Sequence, residues 1–347
     1  LPRFELSGLA TAVGSMPHTD PKEACSLVAK FLPEIPAWPQ LPQRSFLENM
    51  CFQFRPPFLE GRRLTEEVDG HMHIDRSGDL GAELEQLYTD YLENNLERYA
   101  MTPERAAGFH AFLETELSPF AVKGQVTGPV SWGLTVTDEN RRPVLYDDVL
   151  ADALAKHLRL KAAWQERELK TISPNTIIFL DEPSMAFIGS AFVSLSKEQV
   201  VCLLEEVFSG IGGLKGVHCC ANTDWSVLLA TSLDILNFDA YNYGYTLALY
   251  PEEVKAFLER EGVIAWGIVP HDEGDLKGET VKSLLDRLEE GIGALDRKGV
   301  SFRLLRERCL VTPSCGLGSI SPGGAAWALE LLAGVSKELR KRYRKEG

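Results

Sequence analysis

Eight short apolar runs, each about the length of a strand, alternate along this 347-residue chain with eight stretches of helical period, and few folds accept that alternation. The runs are residues 10–15, 35–41, 121–127, 176–181, 216–220, 235–239, 263–268 and 309–313. The helical stretches are residues 20–32, 80–99, 147–169, 196–208, 224–232, 251–261, 280–297 and 323–345. Eight strand–helix alternations predict an α/β chain closed as a (β/α)8 barrel rather than an open doubly wound sheet. The second and third strands are separated by residues 42–119, a polar stretch with extra helical segments. It reads as an insertion placed to cover the barrel mouth. No internal repeat or Pro/Ser-rich linker marks a second domain, so residues 1–347 are expected to form one barrel with one excursion.

Charge narrows the partners. The formal net charge is −14 and the isoelectric point about 5.1, which argues against nucleic acid and against anionic membrane surfaces. The basic run 337–345 reads as a solvated last helix. No apolar run approaches the ~20 residues of a membrane span, and no charged segment leads into an apolar signal core near the start. The expected compartment is therefore the cytoplasm. There the seven cysteines are reduced, and a special cysteine is a metal ligand or a nucleophile rather than half of a disulfide.

A barrel places its chemistry where strands end and the next loops begin. Gly14 and Ser15, the tripeptide Thr127-Gly128-Pro129, Asp181-Glu182-Pro183, His218 with Cys220, Asp239, His271 and Cys315 all fall at such positions. In GVHCCAN, residues 216–222, His218 and Cys220 are two apart on a strand and share a face, while Cys219 points the other way. Cys315, in VTPSCGLGS, follows the eighth strand and opens onto the same mouth. His218 and Cys220 alone read equally as buried structural residues, but with Cys315 the three suit Zn²⁺; Asp239 would be a fourth ligand or a helix or turn cap. An electron-rich set of this kind suits an incoming thiolate better than water, so alkyl transfer to sulfur is expected rather than hydrolysis.

Other residues fit a substrate with two charged ends. Asp181 would receive an ammonium, unless it caps the next helix, and Gly14 with Ser15 would receive a carboxylate. His271 has the chemistry of a general acid or of an ordinary surface-loop histidine. His71 and His73 have metal-like spacing but sit in the polar excursion, where a solvated reading is preferred. Trp38, Trp132 and Trp266 lie near strand ends, as core or as the wall of a pocket.

Seven segments, in order, carry a family resemblance: VGSMPHTD, KGQVTGP, FLDEPSM, VHCCAN, LNFDAYN, AWGIVP and VTPSCGLG. Together they resemble the catalytic C-terminal domain of cobalamin-independent methionine synthase, in the barrel superfamily that also holds uroporphyrinogen decarboxylase. The resemblance implies zinc held by His218, Cys220 and Cys315, with Asp239 standing where the family has a glutamate. It implies homocysteine as acceptor and methionine as product, the carboxylate at Gly14 and Ser15 and the ammonium at Asp181. His271 resembles the family's proton-donating histidine, offset by one residue, and Glu48 lies near its glutamate-bearing substrate motif. Full-length members carry a second, N-terminal barrel that helps bind methyl-folate, and 347 residues leave no room for it. The donor is thus either methyl-tetrahydrofolate or a methyl-corrinoid protein. Alternatives are a corrinoid-linked enzyme acting on another thiol such as coenzyme M, a metal-free decarboxylase-like barrel, and a non-catalytic module that binds a corrinoid protein or tetrapyrrole.

Overall fold

The computed structural model describes residues 6–56, 59, 64–66, 72–74, 80–190 and 193–344. Among them are the strands β1 (Leu9–Ala10), β2 (Leu64–Glu66), β3 (Met72–Ile74), β4 (Val122–Thr127), β5 (Val136–Thr137), β6 (Thr176–Asp181), β7 (Leu214–Cys219), β8 (Ile235–Phe238), β9 (Val263–Val269) and β10 (Cys309–Pro313). Seven of these form one curled sheet in the order β1-β10-β9-β8-β7-β6-β4, parallel throughout. Strands β2, β3 and β5 form a separate small sheet. The last six expected runs all appear as strands of the large sheet.

The first two expected runs behave differently, for a local reason. Residues 35–41 read IPAWPQL, and Pro36 and Pro39 have no N–H to give to a ladder. The segment nevertheless touches both edges of the sheet. Toward β4, Lys123 N donates to Pro36 O and Trp38 N to Lys123 O; toward the end of the first run, Gln40 N donates to Gly14 O and Met16 N to Gln40 O. Beyond β1 the chain keeps a bond from Thr11 N to Val311 O, and Ser15 pairs with Gln40 as an isolated bridge.

Both faces of the sheet are buried. On β6, Ile177 and Phe179 join a compact cluster with Leu9, Ile35, Ile235, Ala265 and Leu310, inside the curl. Ile178 and Leu180 face the opposite way, into the larger cluster shared with the helices. This is the continuous apolar strand expected of a parallel sheet covered by crossover helices.

Helices begin where short polar residues can hold their first N–H groups. Asp20 caps Pro21–Phe31, Asp147 caps Asp148–Leu169, and Ser196 with Gln199 forms a capping box on Lys197–Phe208. Within residues 42–119 the helices Gly81–Glu93 and Ala107–Leu113 are present. The second packs closely on the core: Gly108 sits against the Pro39 carbonyl, where a Cβ would come to 1.8 Å, and Phe109 lies edge-on to Trp38 at 5.4 Å. Among the described residues no helix is long and apolar enough to cross a membrane.

Candidate metal and substrate site

The ends of β6, β7 and β10, with the segment after residue 40, surround a cavity of about 430 Å³. Val13, Ser15, Gln40, Glu48, Asp181, His218, Cys220 and Cys315 are among its lining residues. On β7, alternation sends His218 inward, whereas Cys219 is fully buried in the larger cluster. The nitrogen of His218 and the sulfurs of Cys220 and Cys315 converge, with one potential ligand atom from each lying within 4.8 Å of the others.

The register of the sheet determines which nitrogen His218 offers. His218 pairs with Asn237 on β8, and its Nδ1 lies 2.6 Å from Asn237 Oδ1. Asn237 Nδ2 donates to the Ala265 carbonyl and to Thr312 Oγ1, each at 2.8 Å, so its oxygen is the atom left for the imidazole. Nδ1 therefore carries the proton, and the lone pair of a neutral ring sits on Nε2. That Nε2 is buried and has no hydrogen-bond partner. A buried imidazole nitrogen left unsatisfied beside two thiols fits a bound metal ion, and the donor set of one nitrogen and two sulfurs is the chemistry zinc takes.

The thiols are electronically unequal. The hydrogen bond from Cys315, opposed by burial and aided by the neighbouring His218 ring, pulls Cys220 well below the ordinary thiol range, whereas the bond to Cys220 and burial push Cys315 up. Burial lowers His218, but Cys220 and Asp181 raise it on balance. Cys219, by contrast, is pushed up to about 12 by burial.

Cys315 is held in place by its own glycines. Leu317 N donates to Ser15 O at 2.9 Å and Gly318 N to Ser15 Oγ at 3.4 Å. A Cβ on Gly316 would come to 2.0 Å from Ser15 Oγ. Gly14 adopts φ +152°, with the amides of Gln125 and Gln40 filling the space a side chain would need. The corner Gly14-Ser15 and the loop after β10 thus fit one another closely.

Asp181 lines the cavity and is nearly buried, and its Oδ1 has no hydrogen-bond partner. Burial raises its pKa to about 6, against the pull of His218 and Lys123. Its neighbour Glu182 turns away: its carboxylate accepts from Val130 N, Ser131 N and Ser131 Oγ, capping Pro129–Thr135. Glu48 also lines the cavity, bonded to Arg44 Nη1 at 2.8 Å and Leu41 N at 3.3 Å. Asp239 is not in the group of three; its carboxylate accepts from Asn242 N at 2.9 Å and Asn242 Nδ2 at 2.7 Å. His271 is half-buried with Nδ1 at 2.8 Å from Ser314 Oγ, next to Cys315 in sequence, and does not line the cavity. The three tryptophans are core: Trp38 bonds Gln165 and Trp132 bonds the Cys51 carbonyl, and neither these two nor Trp266 lines the cavity. His73 pairs with Thr137, and His71 lies outside the described residues.

Two residues that residue-by-residue reading passes over matter here. Asn237 is a polar residue in an apolar strand, and Lys123, on β4, is fully buried with Nζ bonded to Val13 O at 2.7 Å and Gln125 Oε1 at 3.1 Å. Asn237 reaches the cavity through its register with His218, and Lys123 through its bond to the carbonyl of Val13.

No protein-family model and no curated protein sequence matches the chain. Its fold is similar to a B12-independent methionine synthase from Shewanella sp. W3-18-1, solved in complex with selenomethionine, at a TM-score of 0.61 and 16% identity over 99% of this chain and 100% of that one. It is also similar to a putative vitamin-B12 independent methionine synthase from Listeria monocytogenes, at 0.54 and 13% over 92% of this chain and 86% of the other.

Proposed function

We propose that this chain is a zinc-dependent thiol S-methyltransferase, with homocysteine as acceptor and methionine as product, and with methyl-tetrahydrofolate or a methyl-corrinoid protein as donor. The observation that carries the proposal is the buried, unpartnered Nε2 of His218 facing Cys220 and Cys315 in a cavity of amino-acid size. The architecture proposed is a single (β/α)8 barrel in which residues 35–41 supply the eighth strand, between the edges β1 and β4.

Zinc held by these three residues would favour the thiolate over the thiol of the acceptor. The remaining steps belong to side chains. Asp181 offers its free Oδ1 to the acceptor's ammonium, and Ser15, which lines the cavity where Gly14 behind it does not, faces the carboxylate. An unpartnered carboxylate favours an acceptor with an ammonium over a sulfonated thiol such as coenzyme M. His271, held by Ser314 beside Cys315, is the proposed proton donor to the leaving group. Asp239 would join the metal only by giving up its bonds to Asn242. Within the 42–119 excursion, residues 42–50 act as a cover over the mouth, a role supported by Pro42, Gln43, Glu48, Asn49 and Met50 in the cavity wall. Excluding water there protects the donor methyl and strengthens each charged contact.

The test is methyl transfer to homocysteine with methyl-tetrahydrofolate and methylcobalamin offered separately as donors. Methionine formed from either supports the reading; its absence with both donors, with zinc supplied, contradicts it.

A further inference from the structure

Lys123 is a buried ammonium that the reaction outlined above does not use. Its Nζ donates to the Val13 carbonyl and to Gln125 Oε1 and lies 4.4 Å from the centre of the Phe179 ring. It forms no ion pair with a carboxylate among the described residues. A buried cation without a direct ion pair, helped only by the more distant charge of Asp181, costs stability unless a further charge is brought to it. Burial, opposed by Asp181, lowers its pKa to about 8, so the ammonium is the main form at neutral pH.

Its position says which charge is missing. Val13, which accepts its hydrogen bond, lines the cavity, and Ser15 lies two residues further on the same wall, about 7 Å along an extended chain. Gln125, its other acceptor, packs against Gly14 and donates Nε2 to Trp38 O. Lys123 is therefore built into the underside of the Gly14-Ser15 corner, while the carboxylate of Asp181, which it feels electrostatically, stands at the end of the adjacent strand β6. A positive charge beneath one part of the cavity and a negative charge on another match a zwitterion in one orientation.

We propose that Lys123 is a positioning residue that makes the Gly14-Ser15 corner an anion subsite, so that the site selects acceptors carrying a carboxylate. This deepens the amino-acid reading above and rests on it. The charge acts from behind the wall, without touching the ligand, and in a buried setting it is little screened by salt.

The test compares L-methionine with 3-(methylthio)propylamine, the same skeleton without its carboxylate, by calorimetric binding to the zinc-loaded wild type, Lys123→Met and Lys123→Gln. The wild type is expected to prefer methionine. Both variants should lose roughly tenfold in methionine affinity and keep their affinity for the amine, which collapses the preference. Lys123→Gln retains an N–H for the Val13 carbonyl, so recovery of the preference in that variant would overturn a role for charge. Equal losses for both ligands, or an unchanged preference, would overturn the proposal as well. A wild type that binds neither ligand would overturn the amino-acid reading together with it, an outcome distinct from all the others.

Discussion

The amide nitrogen of Asn237 is spent on the Ala265 carbonyl and the Thr312 hydroxyl, and its oxygen thereby holds the proton of His218 on Nδ1. Replacing it with leucine frees the imidazole to turn or to change tautomer. Asn237→Leu should weaken zinc binding by about 10–100-fold, read by competition with a chromogenic chelator. Asp181→Asn should act on the other part of the site: homocysteine binding falls roughly tenfold, the scale of one charge-assisted hydrogen bond, while zinc content stays unchanged. Loss of zinc in that variant would reassign Asp181 to the metal shell. His218, Cys220 and Cys315 were legible as a set because the two-residue period of a strand and the ends of two strands can be read directly along the chain. Asn237 and Lys123 were not, since each acts across a register or through a buried layer that no spacing within one strand reveals. The alternative held open for Asp239, a turn cap, describes the bonds it makes to Asn242.

At the level of elements, the starts of helices were the most legible feature. Asp20, Asp147, Ser196 and Thr280 each open a stretch of helical period and each caps the helix observed there. Pro129–Thr135 escaped notice because Gly128, at its cap position, makes no side-chain bond, and its cap is Glu182 on a different segment. Glu182→Ala would strand Val130 N, Ser131 N and Ser131 Oγ in a dry setting. It should cost about 2–3 kcal/mol, measured as a shift in the urea midpoint at constant m-value. The proline-interrupted run 35–41 reads as a strand from its apolar content, and its hydrogen bonds confirm an extended segment; only the regular ladder is missing, because Pro36 and Pro39 cannot donate.

For the molecule as a whole, stability against acid depends on a histidine remote in kind from the site. His157, in the helix Asp148–Leu169, donates Nε2 to the Phe54 carbonyl and leaves Nδ1 buried without a partner. Burial first, then the cations Lys161 and Arg105, holds its pKa well below 6.5. The unfolded chain therefore takes up a proton near pH 6.5 that the folded chain refuses. Stability from this residue is complete above that pH and is lost as pH falls toward the depressed folded value, by up to about 1.4 kcal/mol per pH unit. His157→Gln should flatten that loss, seen by comparing urea midpoints at about pH 7.5 and about pH 5.5 with those of the wild type.

In the proposed enzyme, His218, Cys220 and Cys315 together hold one zinc ion. The most direct test is the metal content of the wild type, purified without chelators, beside that of Cys315→Ser. Stoichiometric zinc is expected in the first and a marked loss in the second, with the fold preserved by circular dichroism. A wild type free of zinc that cannot be loaded with it, or a Cys315→Ser protein that retains zinc in full, would contradict it.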